Sequence, residues 1–364
     1  MAVKIRLAGA VIGLSLLGVP AVGAATLPSA AQVGDVGDVV VDSANKRVYY
    51  SSGASANQVV SVGFDGRGKT VLDGQFGASG MVLSADGSTL YVALAAGDAI
   101  SAIDTATLTE RARYRLNAHS CPTHLVRTGT DVWFGYGCDA WSGEIGRLDT
   151  SVEPAVASYG HQAVDPAKPE TDQRRFERAP LLAEGGDGAA ARIVASQPHI
   201  SPVNVRLYRV EGGKLVEDGR ENRGGSNLND LAVAADGRLF YTAAGSQSSV
   251  DAFTADREMR SSGAWPTGQS PNSVGTSPDG KWLAMGVRTA GPDKASVFLH
   301  APDASRPPVS LRLPRGERLL ERGLAWSEDG KALAIVTQQG QDPTPVVRVV
   351  DPAAKRPGPG PWPL

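Results

Sequence analysis

The sequence predicts an all-β fold, a seven-bladed β-propeller of four-stranded antiparallel blades. A self-similar unit built around an Asp-Gly turn recurs along the chain, and seven such turns can be placed at near-regular spacing. Composition agrees. With 43 Gly and 24 Pro among 364 residues, the chain suits many short strands joined by tight turns. An apolar content of 41% is enough to bury a substantial core.

The clearest unit runs from Gly80 to Ala93, and three others cover Leu231–Tyr241, Val274–Ala284 and Leu324–Ala334. In each, an alternating apolar strand meets a turn (Asp86-Gly87, Asp236-Gly237, Asp279-Gly280, Asp329-Gly330) and an apolar strand returns. Glycine supplies the positive φ that such a hairpin needs. Degenerate copies place Asn45, Gly129 and Gly188 at the turn. The seven turn positions 45, 87, 129, 188, 237, 280 and 330 are then separated by 42, 42, 59, 49, 43 and 50 residues, close to the length of a propeller blade. A third strand follows, ending near an acidic residue in several copies: Ala99–Asp104, Gly143–Asp149, Ser249–Phe253 and Val346–Asp351. A fourth is more polar, as in Thr109–Leu116. Apolar inner strands with polar outer ones are what radially stacked sheets require. A β-sandwich or two smaller β domains would not explain regular spacing over the whole chain.

The ends read differently. Lys4 and Arg6 precede an apolar stretch, Leu7–Val19, and small residues follow at Ala21, Gly23, Ala24 and Ala25. This is the pattern of a secretory signal peptide over residues 1–25, cleaved near Ala24-Ala25. The stretch is too short and Gly-rich to span a membrane, and no Cys lies beside it to carry a lipid. A secreted protein without a transmembrane segment in its mature chain is expected. The propeller is assigned to residues 26–351. Residues 352–364 form a Pro-rich tail unable to donate a regular ladder, so Thr26–Val33 is expected to supply the fourth strand of the last blade. Without Lys4 and Arg6, 34 basic residues face 38 acidic ones. No basic run could neutralise several phosphates, which argues against nucleic acid as a partner.

Propeller topology assigns residues to faces. Loops between blades, and between second and third strands, emerge on one face, the top; the Asp-Gly hairpins lie on the other. Cys121 and Cys138 are the only cysteines and flank the third hairpin symmetrically about Gly129-Thr130. Opposed residues of such a hairpin lie about 4.5–5.5 Å apart at Cα, within disulfide range. In an exported chain a structural disulfide is the natural reading, with a redox or metal role the alternative. Four of the five histidines (His119, His124, His161, His199) map to the top of blades three and four, near Tyr136 and Trp141. The longest interruption of the repeat, residues 160–180, is expected to project there too, as binding loops on repeat scaffolds do. Aligning the repeats also places Asp38, Ser79, His124, Asn229, Asp230, Asn272 and Arg322 at the tops of inner strands, around the central channel. Polar residues there are ordinarily just hydrated, but the oxygens of Asp38, Asn229, Asp230 and Asn272 also suit Ca²⁺ or Mg²⁺.

The Ser-x-Asp-Gly turns, with Leu90-Tyr91-Val92-Ala93 following one of them, resemble the YVTN-type repeats of secreted bacterial propellers, within a broader WD40-like and lactonase-like group. That resemblance implies the fold over nearly the whole mature chain and little more. Its members include lactonases, lyases, cofactor-bearing dehydrogenase subunits and plain binding proteins. Propeller lactonases hold a divalent ion with Asp and Asn residues, and this chain departs from that pattern in having no Glu in the ring.

No G-x-S-x-G, H-E-x-x-H, P-loop or C-x-x-C-H motif occurs, and no cofactor is expected apart from that channel ion. Two functional expectations follow. The first is a secreted binding module acting through its top face around blades three and four, on a protein, a cell-envelope glycan or a small molecule. Its candidate residues are His119, His124, Trp141, His161, His199, Asn229, Asn272 and Arg322. The second is a metal-assisted lactonase or lyase at the channel mouth, with His124 as general base.

Overall fold

The computed structural model describes residues 36–53, 57–162, 176–288, 290, 294–303, 305–354 and 362–363. These form a seven-bladed propeller of antiparallel sheets, and a single three-residue 3₁₀ turn, Gly188–Ala190, is the only helix among them. The inner strands are Val39–Asp42, Ala78–Leu83, His124–Thr128, Leu181–Gly185, Leu228–Val233, Pro271–Thr276 and Glu317–Trp326. The expected turns fall where the repeats put them. Asp42 pairs with Arg47 across the first hairpin, Thr128 with Asp131 across the third. The fourth turn, around Gly188, is the 3₁₀ segment.

Alternation along the inner strands sends successive side chains toward opposite neighbours, so each apolar layer is shared by two blades. Val126, Trp133 and Ile145 of blade three pack with Leu182, Ile193 and Ala195 of blade four. Tyr241, Val250 and Ala252 of blade five pack with Val274, Leu283 and Met285 of blade six. The outer strand Thr109–Arg115 alternates exposed and half-buried residues, as a sheet edge beside water does.

Among the described residues the seventh blade has three strands, ending with Pro345–Val350. Thr26–Val33, the segment expected to complete it, lies outside the described residues, as does the signal-peptide segment. The described residues of the tail supply no fourth strand to that blade. Instead Trp362–Pro363 runs parallel to the outer strand Val309–Arg312, making a fifth strand on blade six.

A bulge recurs at the top of the inner strands, and no residue pattern announces it. One extra residue sits between Ala78 and Met81, between Leu228 and Asp230, and between Pro271 and Ser273. In blade seven the same position is enlarged: Leu319 to Leu324 span five steps where the partner strand takes two. The first three bulges tie blade to blade. Ser79 Oγ donates to Pro122 O (3.2 Å), Asn229 Nδ2 to Pro271 O (2.8 Å) and Asn272 Nδ2 to Leu319 O (3.2 Å). Two carboxylates add the reverse connection: Asp38 accepts the Met81 N–H and Asp230 the Val274 N–H, both at 2.8 Å.

These straps require close approach of the backbones. A Cβ added to Gly80 would lie 2.5 Å from Thr123 O and 2.6 Å from His124 Cα. Gly80→Ala must therefore push blades two and three apart. A loss of about 1–3 kcal/mol in stability is expected, as for overpacked sites, readable as a lower midpoint in chemical denaturation.

Candidate functional site: the channel mouth and the loops of blades three and four

The enlarged bulge of blade seven, residues 320–323, turns Glu321 and Arg322 over the channel. Arg322 has a left-handed backbone (φ 54°), and Gly323 fits only because it lacks a Cβ, which would meet Val336 O at 2.7 Å. The Arg322 guanidinium then reaches three other blades. It donates to His124 Nδ1 (3.3 Å) of blade three and to Gly37 O (3.3 Å) before blade one. It pairs with Asp38 Oδ1 (3.4 Å) and, in blade five, with Asp230 Oδ1 (3.7 Å). Blades one, three, five and seven are not all neighbours, so these contacts cross the channel. Beside Arg322, Glu321 bridges to His199 Nε2 of blade four at 3.1 Å.

Protonation follows from the geometry. A guanidinium only donates, so His124 Nδ1 must be bare and its proton sits on Nε2. Burial, and secondarily the charge of Arg322, hold His124 well below the usual histidine range, so it is neutral. Burial raises both carboxyls, Asp38 and Asp230, the latter to about 7, although Arg322 and backbone N–H groups pull the other way. Every carboxylate oxygen has a donor. Asp38 accepts from Val39 N and Met81 N, Asp230 from Leu231 N and Val274 N. A divalent ion would have to take the place of Arg322 between them. The two asparagines suggested as further ligands point their amide N–H groups at the next blade, leaving Asn272 Oδ1 buried without a hydrogen bond. Among the described residues, the one group of three Asp, Glu, His or Cys ligand atoms within 4.8 Å of each other is Asp98 with Cys121 and Cys138.

Those two cysteines are joined as a disulfide, Cα–Cα 5.2 Å, as the hairpin symmetry implied. Asp98 shapes the loop beside it: its carboxylate accepts the N–H of His119 (3.0 Å) and of Cys121 (2.9 Å). Its place on a neighbouring blade hid this role from the sequence. The remaining candidates separate. His119 is exposed on this loop, away from the channel cluster. Trp141 stands out of the next loop, 57% exposed. His161 instead packs edge-on against Trp133 (5.3 Å) with Nε2 2.7 Å from Ser158 Oγ; burial and the nearby Arg147 charge lower its pKa. His199 is half-exposed and its pKa is raised by the Glu321 carboxylate. Of the excursion 160–180, residues 163–175 lie outside the described residues. Its return is anchored: Phe176 exchanges backbone hydrogen bonds with Gly143, and Trp141 N donates to Glu177 O.

Backbone strain concentrates on this face. Among the described residues, ten non-glycine residues have positive φ, and seven of them belong to top-face loops or the channel bulge: Asp98, His119, Cys121, Trp141, His199, Asn227 and Arg322. Side chains held in that region cost free energy and persist where the surroundings impose them. A second crossing was not foreseen. At the other end of the channel Arg127 lies 3.9 Å from Glu328 of blade seven. Glu184, open to water yet walled in by protein, is pushed up to about 7 by burial against the pull of Arg127. Charged residues inside otherwise apolar inner strands were the available signal.

Fold and site together define a closed propeller whose top mouth is covered by its own seventh blade. No family model and no curated protein matches the chain. Among solved structures it is similar to a hydrazine synthase of Kuenenia stuttgartiensis, with a TM-score of 0.61 and 15% identity, covering 91% of this chain and 99% of that one. It is also similar to a chain of a mitotic checkpoint complex, with a TM-score of 0.60 and 15% identity over 96% and 100%. At that identity the likeness is one of fold.

Replacing Arg322 by Met would leave two shielded carboxylates without their cation. Breaking such a pair costs about 3–5 kcal/mol when fully buried; with these groups partly reached by water, about 2–4 kcal/mol is expected. The loss should depend on pH. Without Arg322 the folded carboxyls rise further above their unfolded values, so the variant's folded state binds extra protons and its stability falls as pH rises through 4 to 7 and beyond. Denaturation at pH 5 and pH 8 should show the larger deficit at pH 8.

Proposed function

We propose that the protein is a secreted binding module of the YVTN-like propeller type, engaging its ligand over the channel mouth and the top loops of blades three and four. The observation that carries this reading is the concentration of left-handed side chains there. His119, Cys121 and His199 among them are braced by the Cys121–Cys138 disulfide, the Asp98 carboxylate and the Glu321–His199 bridge, which hold a surface ready to be recognised. Exposed Trp141 supplies an aromatic anchor beside it, the residue type that dominates binding energy at recognition surfaces. Propellers commonly serve as interaction modules, which agrees with this reading. A metal-assisted lactonase at the same mouth would need Asp38 and Asp230 to exchange Arg322 for an ion, so the binding role is favoured.

Three outcomes are expected. N-terminal sequencing of protein from the culture medium should begin at or near Thr26; material retained in the cytoplasm at full length would sink the export assignment. Dialysis against a chelator should leave the melting temperature unchanged, whereas a fall restored by Ca²⁺ would turn the reading toward the enzyme. Partners cross-linked to the purified protein in its own medium and envelope fractions should be lost from Trp141→Ala and His199→Ala together. Partners retained by both variants would place the binding surface elsewhere.

A further inference from the structure

A second site lies on the opposite face, between blades five and six. A cleft of about 310 Å³ opens there between the hairpin turns at Asp236 and Asp279, walled by Ala234, Leu239, Pro278, Pro302, Tyr241 and Trp282. Its volume falls at the lower end of the range for small-molecule sites. At its floor is Tyr241, 1% exposed overall, whose hydroxyl makes no hydrogen bond among the described residues and opens onto the cleft.

The neighbouring interfaces show what is missing. Tyr49, Tyr91 and Tyr241 occupy the same place on the second strands of blades one, two and five, opposite Val40, Val82 and Ala232. At the first interface the hydroxyl of Tyr49 donates to Thr105 O of the next blade at 2.9 Å. At the second, Thr150 interacts with the hydroxyl of Tyr91. Counting along the third strands from the ladder partners Ala102, Arg147 and Leu299 puts Pro302 where Thr105 and Thr150 stand. Where Pro302 stands in place of threonine, a cleft opens and Tyr241 makes no bond to the next blade among the described residues.

A hydroxyl that opens onto the cleft can bond water or a ligand there, and a ligand that reproduces the bond of a displaced water keeps that interaction. The other groups around the cleft narrow the ligand class. Its cation-binding features are already occupied: Arg306 lies over the Trp282 ring at 5.3 Å, and Lys281 Nζ bonds Asp279 at 2.8 Å. What is left is the Tyr241 hydroxyl, the outer oxygen of exposed Asp236, whose Arg238 partner is 3.9 Å away, and a Pro- and Leu-lined wall. These match a neutral molecule with one apolar face and several hydroxyls. We infer that the cleft between blades five and six binds a pyranose unit, the ring packing on Pro278, Pro302 and Leu239 while its hydroxyls meet Tyr241 and Asp236.

The test uses the full-length mature protein and four free sugars as probes: glucose, galactose, mannose and N-acetylglucosamine, titrated to millimolar concentration and followed by saturation-transfer NMR. At least one should bind. Tyr241→Phe, which keeps the ring and its packing, should weaken binding about 3–10-fold, the range of one lost hydrogen bond. Pro302→Thr supplies a side-chain hydroxyl able to bond Tyr241 as Thr150 bonds Tyr91, and should abolish binding while leaving the melting temperature equal or higher. Binding unaffected by both substitutions would overturn the assignment of the site. No binding by any of the four sugars, or binding of choline or arginine instead, would overturn the ligand class. Because the cleft is on the face opposite the channel mouth, Trp141→Ala should leave sugar binding unchanged, which separates this site from the proposed partner surface.

Discussion

The ring holds together through polar straps at the tops of its inner strands, and the rest of the structure depends on them. Apolar layers between blades are non-directional; they favour burial without specifying how far one blade is rotated against the next. The straps add direction. Ser79, Asn229 and Asn272 donate to the following blade while Asp38 and Asp230 accept from it. At the Ser79 strap the backbones approach within the space a glycine leaves, at Gly80. The inner strand of each blade is the edge of a separate sheet, and around the channel these edges are joined by the straps.

That same arrangement creates the electrostatic problem that Arg322 addresses. Two carboxylates used as backbone acceptors are desolvated, and burial favours their neutral forms. A guanidinium delivered by an enlarged bulge of blade seven compensates them, and in doing so covers the mouth. Structural and functional roles are therefore coupled here: the residues that close the ring also decide what the channel mouth presents. The top loops gain rigidity from different devices, a disulfide and an aspartate acting on two backbone N–H groups. On the opposite face Pro302 stands where two other interfaces carry threonine, and a cleft opens beside it.

Much of this was legible from the residues alone. Asp-Gly turns and period-two apolar strands are local signals, so blade count, hairpin positions and the cysteine pairing could be read directly. Face assignment followed from topology, which is why Asp38, His124, Asp230 and Arg322 were grouped correctly around the channel. His161 was grouped with the exposed histidines of that face, whereas the fold turns it against Trp133; loop position does not tell which way a side chain points.

By itself, the sequence determined the repeat, the order of strands and which faces carry the loops, because these depend on turn chemistry and alternation within about fifty residues. Only the tertiary structure decided the rest. The bulges, the three-blade reach of Arg322 and the uncapped Tyr241 all arise from contacts between blades, where partners lie forty to nearly three hundred residues apart. Such partners are chosen by the closure of the ring, and closure leaves no local pattern in the chain.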